Sequence, residues 1–227
     1  MVSVMAVVVG YLVGSIPFGL LLGRLKGVDI RQHGSGNIGA TNVGRVLGRG
    51  WGFLAFFLDA AKGLLPVLIF GMFARQWMLL GEVAAIDRPV IFLLWMAVAT
   101  ACVMGHLFPI FLRFKGGKGV ATSLGALLGV YPYFTLPGLV IFVIWVVVTL
   151  LTRYVSVGSV VATLAFPVMF AICAAFRQDR WGSTRELWPL YAFTIVIALL
   201  VVYRHRGNLQ RLYHGQENRI GSSVSRA

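Results

Sequence analysis

The chain has 227 residues and a mass of 24.8 kDa, with 59% hydrophobic residues, 12% charged residues and a mean hydropathy of +0.86. A soluble domain carries roughly twice that share of charge, so a soluble globule is excluded. So apolar a chain must also bury itself, which excludes disorder.

The formal net charge is +13, from 20 Lys and Arg against 7 Asp and Glu. In a soluble protein that balance would point to nucleic acid. In a membrane protein it points to the cytoplasmic face, where Lys and Arg collect, and no nucleic-acid partner is needed. About 20 apolar residues, rising about 1.5 Å each, cross a hydrocarbon core of ~30 Å.

Taken in chain order, the apolar runs are residues 4–22, 51–73, 89–112, 119–130, 138–151, 155–176 and 187–203. They predict an all-α, polytopic integral membrane protein of about seven transmembrane helices. No Lys or Arg precedes the first run, so the basic start of a signal peptide is missing. Gly14, Ser15, Pro17 and Gly19 interrupt that run, which a membrane tolerates only where the backbone is buried in protein or lines a cavity. The second run carries Asp59 and Lys62, three residues apart and expected to pair. The third ends near His106 and Pro109, where the histidine is expected to cap the span. The stretch from Tyr131 to Pro137 reads as an interfacial turn. Residues 74–88 and 177–186 read as polar loops, and a basic tail closes the chain, with residues 221–227 flexible.

Charge fixes the orientation. Segments 24–50, 113–118, 152–156 and 204–227 hold fourteen of the Lys and Arg residues against Asp29 and Glu217 alone. The opposite side holds five against four, and Asp59 and Lys62 cancel within their span. The N-terminus is therefore expected outside and the C-terminus in the cytoplasm. The two cysteines, Cys102 and Cys173, fall at different depths in apolar runs and are expected to remain free thiols.

Topology alone needs only scattered cations. It does not need the glycine-rich stretch from Gly34 to Asn42 or the Lys-Gly-Gly-Lys-Gly run from Lys115 to Gly119. The first formally matches the dinucleotide fingerprint, but a membrane segment precedes it where a strand is required. The second lacks the Ser or Thr and the early glycine of a P-loop. What survives is more general. Glycines let successive backbone N–H groups turn toward an anion. Ser35, Asn37, Thr41 and Asn42 add short polar groups, Arg45 can grip a phosphate through two parallel bonds, and Lys115 and Lys118 add charge. Ser156 and Ser159 follow Arg153 at the start of a span, where free N–H groups gather. The pattern describes a site for phosphate-bearing ligands. No Ser–His or Cys–His pair and no cytoplasmic carboxylate pair stands out, and no acidic cluster calls for a metal. The histidine–aspartate signature of the common glycerolipid acyltransferases is absent.

Four stretches resemble the PlsY family, the bacterial acyl-phosphate:glycerol-3-phosphate acyltransferases. They are Gly34 to Asn42 with Arg45, Leu58 to Gly63, Gly105 to Pro109 continuing through Lys115 to Thr122, and His205 to Leu209 with Gly215, Gln216 and Glu217. The likeness runs from about Gly14 to Ile220. Departures are confined to Gly207, Leu209 and Arg219, none of which removes a group assigned to chemistry.

The resemblance implies one membrane-embedded acyltransferase domain over residues 1–227, in the bacterial inner membrane with its active site on the cytoplasmic face. It implies transfer of a fatty acyl group from acyl phosphate to the 1-hydroxyl of sn-glycerol 3-phosphate, without a cofactor, giving lysophosphatidic acid and phosphate at the start of phospholipid synthesis. Its first motif maps onto Gly34, Ser35, Gly36, Asn37, Gly39, Thr41, Asn42 and Arg45. Its glycine–lysine motif maps onto Lys115, Gly117 and Lys118, its serines onto Ser156 and Ser159, and its C-terminal motif onto His205, Asn208 and Glu217.

Acyl phosphate is a mixed anhydride with a good leaving group, so holding two anionic substrates in line does most of the work. The first-motif nest with Ser35 and Asn37 is expected to cradle the donor phosphate. Arg45, Lys115, Lys118 and Ser156 are expected to hold glycerol phosphate, and His205 and Asn208 to orient its hydroxyl. A substrate phosphate oxygen, with a second pKa near ~6, suits the role of proton acceptor, and His205 is the alternative base. The rival class is a membrane transporter of an organic phosphate, but no repeat between the halves of the chain is evident and the polar motifs gather on one face.

Overall fold

The computed structural model describes residues 2–80 and 88–220, which form helices and no strand. In chain order these are α1 (Val2–Gly14), α2 (Phe18–Leu25), α3 (Ala40–Leu47), α4 (Arg49–Leu80), α5 (Arg88–Leu107), α6 (Val120–Gly129), α7 (Thr135–Thr152), α8 (Val155–Ala175), α9 (Gln178–Trp181) and α10 (Thr184–Tyr213). Short 3-10 turns occupy Ile30–Gln32 and Ile110–Leu112. Among the described residues, six helical segments are long and apolar enough to cross a membrane. They are α1 with α2, α4, α5, α7, α8 and α10. The expected fourth span is α6, whose ten residues rise only about 15 Å, half the hydrocarbon thickness.

Several boundaries differ from the sequence reading, each for a local reason. The second run does not stop at Phe73: α4 continues to Leu80, so residues 74–80 of the expected loop are helical. Nothing in Ala74, Arg75, Gln76 or Trp77 breaks a helix, and polarity alone does not end one. The remainder of that loop, residues 81–87, and the tail 221–227 lie outside the described residues. The loop 177–186 is organised: α9 buries Trp181, and Ser183 with Glu186 forms a capping box that starts α10. The basic tail begins as the last turns of α10, whose 30 residues rise about 45 Å and outrun the bilayer core.

The chain divides into two compact units. The first comprises residues 2–67 and 98–126. Its helices approach closely at glycines. A Cβ at Gly14 would run into the Cys102 backbone, one at Gly105 into Tyr11, one at Gly63 into Thr122, and one at Gly125 into Ala60. These contacts join α1 to α5 and α4 to α6, by the small-residue packing that membrane helices use in place of a hydrophobic drive. Leu20, Leu22, Ile30, Ile38, Val43 and Ala55 form an apolar core beneath the segment between α2 and α4. The first span is broken as expected. Ser15, Ile16 and Pro17 separate α1 from α2, and Pro17 has no N–H to continue the ladder.

The second unit comprises residues 68–80, 88–97 and 127–220. There α8 packs against both α7 and α10. Phe134 lies at its centre, with Phe166 and Phe170 edge-on at 5.1 and 5.0 Å and Phe193 stacked at 5.8 Å. Outward rows such as Val143, Val147 and Leu150 on α7 and Leu164, Val168 and Ile172 on α8 are exposed, the surface a helix presents to lipid. Cys102 and Cys173 are both free thiols.

Candidate functional site

In the first unit, the glycine-rich stretch is folded around Asn42. The N-terminal turn of α3 holds this side chain inward, and it is 1% exposed. Its Oδ1 accepts from Ser35 N at 2.8 Å, and its Nδ2 donates to the carbonyls of Ile30 at 2.9 Å and His33 at 3.1 Å. Asn42 therefore ties the loop's own backbone together. Asn37 acts similarly, its Oδ1 accepting from Gly39 N at 2.9 Å and turning the chain into α3. Both side chains thus bond to the loop's own backbone.

The residues left on the outside are Gly34, Ser35, Gly36 and Thr41, all exposed, with Arg45 half-buried. Gly34 and Gly36 have φ of +62° and +67°, and a Cβ at Gly34 would collide with Asn42 Oδ1. Within this turn Ser35 N is held by Asn42 Oδ1 and Gly36 N donates to the His33 carbonyl at 3.1 Å, so both amides close the loop itself and the exposed Ser35 hydroxyl is the side-chain donor it offers. Beneath them, Asp29 starts the Ile30–Gln32 turn by accepting from Arg31 N at 3.0 Å. Bonds from the Arg31 side chain, then from its backbone, hold the Asp29 carboxyl down at about 2.

The second cationic loop follows α5 in the same unit. Lys115 is exposed, Lys118 half-buried and Gly117 buried. Gly117 N donates to the His106 carbonyl at 3.1 Å, which folds the loop back onto the end of α5. Behind the loop lies a buried trio that the sequence had resolved only as a pair. Lys62 Nζ sits 2.7 Å from Asp59 Oδ1, and His106 Nδ1 lies 3.7 Å from the same oxygen. His106 thus faces Asp59 and does not merely end its span.

In the second unit the polar groups converge on Glu217. Its Oε1 accepts from Asn208 Nδ2 at 2.6 Å and from Ser156 Oγ at 3.0 Å, and its Oε2 accepts from Arg211 Nε at 3.1 Å. The segment after α10 turns back to make this possible. Ile220 N donates to the Arg153 carbonyl at 2.8 Å, and Arg219 Nε to Tyr154 Oη at 2.9 Å. Sequence reasoning matched Glu217 to a motif but gave it no role. The signal was available: it is one of two acids among the cations of that face.

His205, 1% exposed, has its Nδ1 2.8 Å from the Val201 carbonyl, one turn earlier on α10. A carbonyl accepts, so Nδ1 carries a proton and donates to it, which leaves Nε2 as the nitrogen on the other edge of the ring. Ser159 bonds within the helices. Its hydroxyl donates to the Val155 carbonyl at 2.8 Å and accepts from Trp145 Nε1 at 3.2 Å, so it braces α7 against α8. Among the described residues, no group of three or more His, Cys, Asp or Glu is placed to hold a metal ion.

Comparison with known proteins bears on the chain as a whole. The sequence model of the family described as glycerol-3-phosphate acyltransferase matches residues 4–215. A glycerol-3-phosphate acyltransferase of Geobacter sulfurreducens is 46% identical over 214 residues, spanning 93% of this chain and 94% of that protein. One from Aquifex aeolicus is 40% identical over 224 residues, spanning 97% of this chain and 100% of its own length. Among solved structures, PlsY, an integral membrane glycerol 3-phosphate acyltransferase, matches in its glycerol 3-phosphate form with a TM-score of 0.78 and 38% identity, over 97% of this chain and 96% of that one. Its lysophosphatidic acid form matches with a TM-score of 0.77 and 37% identity, over the same shares of both chains.

Proposed function

This chain belongs to the glycerol-3-phosphate acyltransferase family, and from that premise we propose that it moves a fatty acyl group from an acyl phosphate to the 1-hydroxyl of sn-glycerol 3-phosphate. The products are lysophosphatidic acid and inorganic phosphate. The observation that carries the reading is the pairing, in a chain of this family, of the left-handed Gly34 and Gly36 backbone with the glycine–lysine loop at 115–119. The first exposes the Ser35 hydroxyl between two glycines, and the second adds the charges of Lys115 and Lys118.

The donor phosphate lies against the exposed Gly34–Gly36 backbone, where no side chain of 34 or 36 stands in the way, and accepts from the Ser35 hydroxyl. Arg45, Lys115 and Lys118 neutralise phosphate charge, and Arg45 adds a two-point grip. The 1-hydroxyl attacks the acyl carbonyl, the new ester bond forms, and the carbonyl–phosphate bond breaks with phosphate leaving. The hydroxyl proton passes to a substrate phosphate oxygen, whose second pKa near ~6 suits it near neutral pH. His205 Nε2 and Asn208 orient the attacking hydroxyl, while Glu217 holds Asn208 and Ser156 in position. The acyl tail stays in the bilayer, contributing about 0.8 kcal/mol per buried CH₂.

The proposal includes the membrane arrangement: seven passes with α6 as the short one, the N-terminus outside, and the phosphate-binding loops on the cytoplasmic side of the bacterial inner membrane. The support is the charge asymmetry of fourteen Lys and Arg against two acids on one face.

The test is purified protein in detergent given acyl phosphate, glycerol 3-phosphate, or both. Phosphate release that requires both substrates, with lysophosphatidic acid as the lipid product, is the expected result. Activity with acyl-CoA in place of acyl phosphate would overturn the donor assignment. Movement of glycerol 3-phosphate into vesicles without turnover would overturn the enzyme reading itself.

A further inference from the structure

The buried Asp59–Lys62–His106 trio of the first unit has no part in the chemistry above. Ionisable groups are costly inside a membrane and persist where they do something. All three are at most 4% exposed. The residues they touch define a line through the unit. Lys62 Nζ donates to the Ile16 carbonyl at 2.7 Å, at the break between α1 and α2, and is 2.7 Å from Asp59 Oδ1. The same Asp59 oxygen faces His106 Nδ1 at 3.7 Å, within ion-pair range but too long for a hydrogen bond.

The opposite edge of the imidazole meets the 115–119 loop. A Cβ on Gly117 would run into His106 Nε2 and stand 2.9 Å from Cε1 and 3.1 Å from Cδ2. A Cβ on Gly116 would run into the His106 carbonyl. The ring has little room to swing aside, with Asp59 at its inner edge and the surroundings closed to solvent.

We infer that His106 is a positioning residue for the glycine–lysine loop. Its ring, backed by the Asp59–Lys62 pair, is the wall against which the Gly117 backbone rests, and this sets how well the loop fits a phosphate group. The inference rests on assigning that loop to a phosphate of the substrates. It explains why glycine stands at 117, although that residue has no left-handed φ. The space a side chain would need is occupied by the imidazole.

Two shorter side chains separate the two edges of the ring. In His106→Asn the amide nitrogen stands near the former Nδ1 and the outer edge is gone. In His106→Gln the amide reaches the former Nε2 position and the outer edge is kept. We expect Gly117→Ala to raise the KM for glycerol 3-phosphate about tenfold in the wild-type background, with a smaller change in kcat, the size of coupling typical of touching residues. In the His106→Asn background the same substitution should raise KM less than about threefold, and in His106→Gln it should keep its full effect. His106→Ser serves as a second truncation, and each variant is matched to wild type by its melting curve in detergent. A purely structural histidine would lower the melting temperature without relieving Gly117→Ala. An equal Gly117→Ala effect in all backgrounds would overturn the inference. Lys118→Gln distinguishes that failure from failure of the loop assignment: an unchanged KM for glycerol 3-phosphate in this variant removes the phosphate from the loop altogether.

Discussion

The Lys62 ammonium closes the break in the first span by donating to the Ile16 carbonyl at 2.7 Å. Pro17 supplies no N–H at this point, and Phe18 N reaches the same carbonyl at 3.2 Å. Lys62 also lies 5.7 Å above the Phe18 ring, so α2 begins on a surface shaped by a residue of α4. Asp59 makes the arrangement affordable in a nearly dry environment by neutralising the lysine.

Removing one member of that pair should therefore be far worse than removing both. Lys62→Met leaves a buried carboxylate uncompensated, a loss of about 3–5 kcal/mol. The double variant Asp59→Asn/Lys62→Met removes both charges and should recover most of the melting temperature. Thermal unfolding in detergent reads the difference. Equal losses in the single and double variants would mean that the pair is not a coupled unit.

Gly34 is held by two independent constraints, a left-handed φ of +62° and the proximity of Asn42 Oδ1. Gly34→Ala should cost about 1–3 kcal/mol of local strain. That strain should appear mainly as a raised KM for acyl phosphate, because the loop carries the donor phosphate in the proposed arrangement. Gly48→Ala is the comparison. Its φ of +102° is also positive, but open space surrounds it and it lies outside the loop. It should lower stability and leave KM near that of wild type.

Much of this was legible in the sequence, for identifiable reasons. Apolar runs of span length and the one-sided distribution of cations are properties of composition over many residues, which local detail does not disturb. The break at Ser15 to Pro17 was legible because proline removes a donor whatever surrounds it. Polar loops were less so. Asn37 and Asn42 look like ligand groups in a glycine-rich stretch, yet an asparagine beside free backbone amides and carbonyls satisfies those first. Ser159 follows the same rule: its hydroxyl finds a carbonyl one turn back and an indole on the preceding helix. The role of Glu217 depends on a chain reversal after α10 that brings residues 217–220 back to Arg153 and Tyr154, and no periodicity announces such a return.

That reversal gives Glu217 a testable weight. Glu217→Ala removes the acceptor for Asn208, Ser156 and Arg211 together, leaving the two buried donors of Asn208 and Ser156 without this partner at about 1–3 kcal/mol each. Glu217→Gln keeps an oxygen for Asn208 and Ser156 but sets an amide against the Arg211 guanidinium. The expected order of stability is wild type, then Gln, then Ala. Hydrogen exchange over residues 217–220 should rise in the same order. Unchanged exchange in Glu217→Ala would mean that the Ile220 and Arg219 contacts hold the segment without it.

His205 allows the two candidate proton acceptors to be told apart. Its Nδ1 is committed to the Val201 carbonyl at 2.8 Å, so only Nε2 can face a substrate. If the ring only orients the hydroxyl, His205→Gln, which carries an amide near the Nε2 position, should lower kcat by about tenfold, a loss of orientation smaller than the 10²–10⁴ that a general base contributes. The low-pH limb of the kcat profile should then persist in the variant, because it follows the second ionisation of a substrate phosphate near ~6. Loss of that limb, together with a fall in kcat of about a thousandfold or more, would make the histidine the base. Phosphonate analogues of glycerol 3-phosphate, whose second pKa is higher, supply the complementary arm. With the wild-type protein the limb should move up with the analogue, whereas a limb that stays in place would belong to a side chain of the protein.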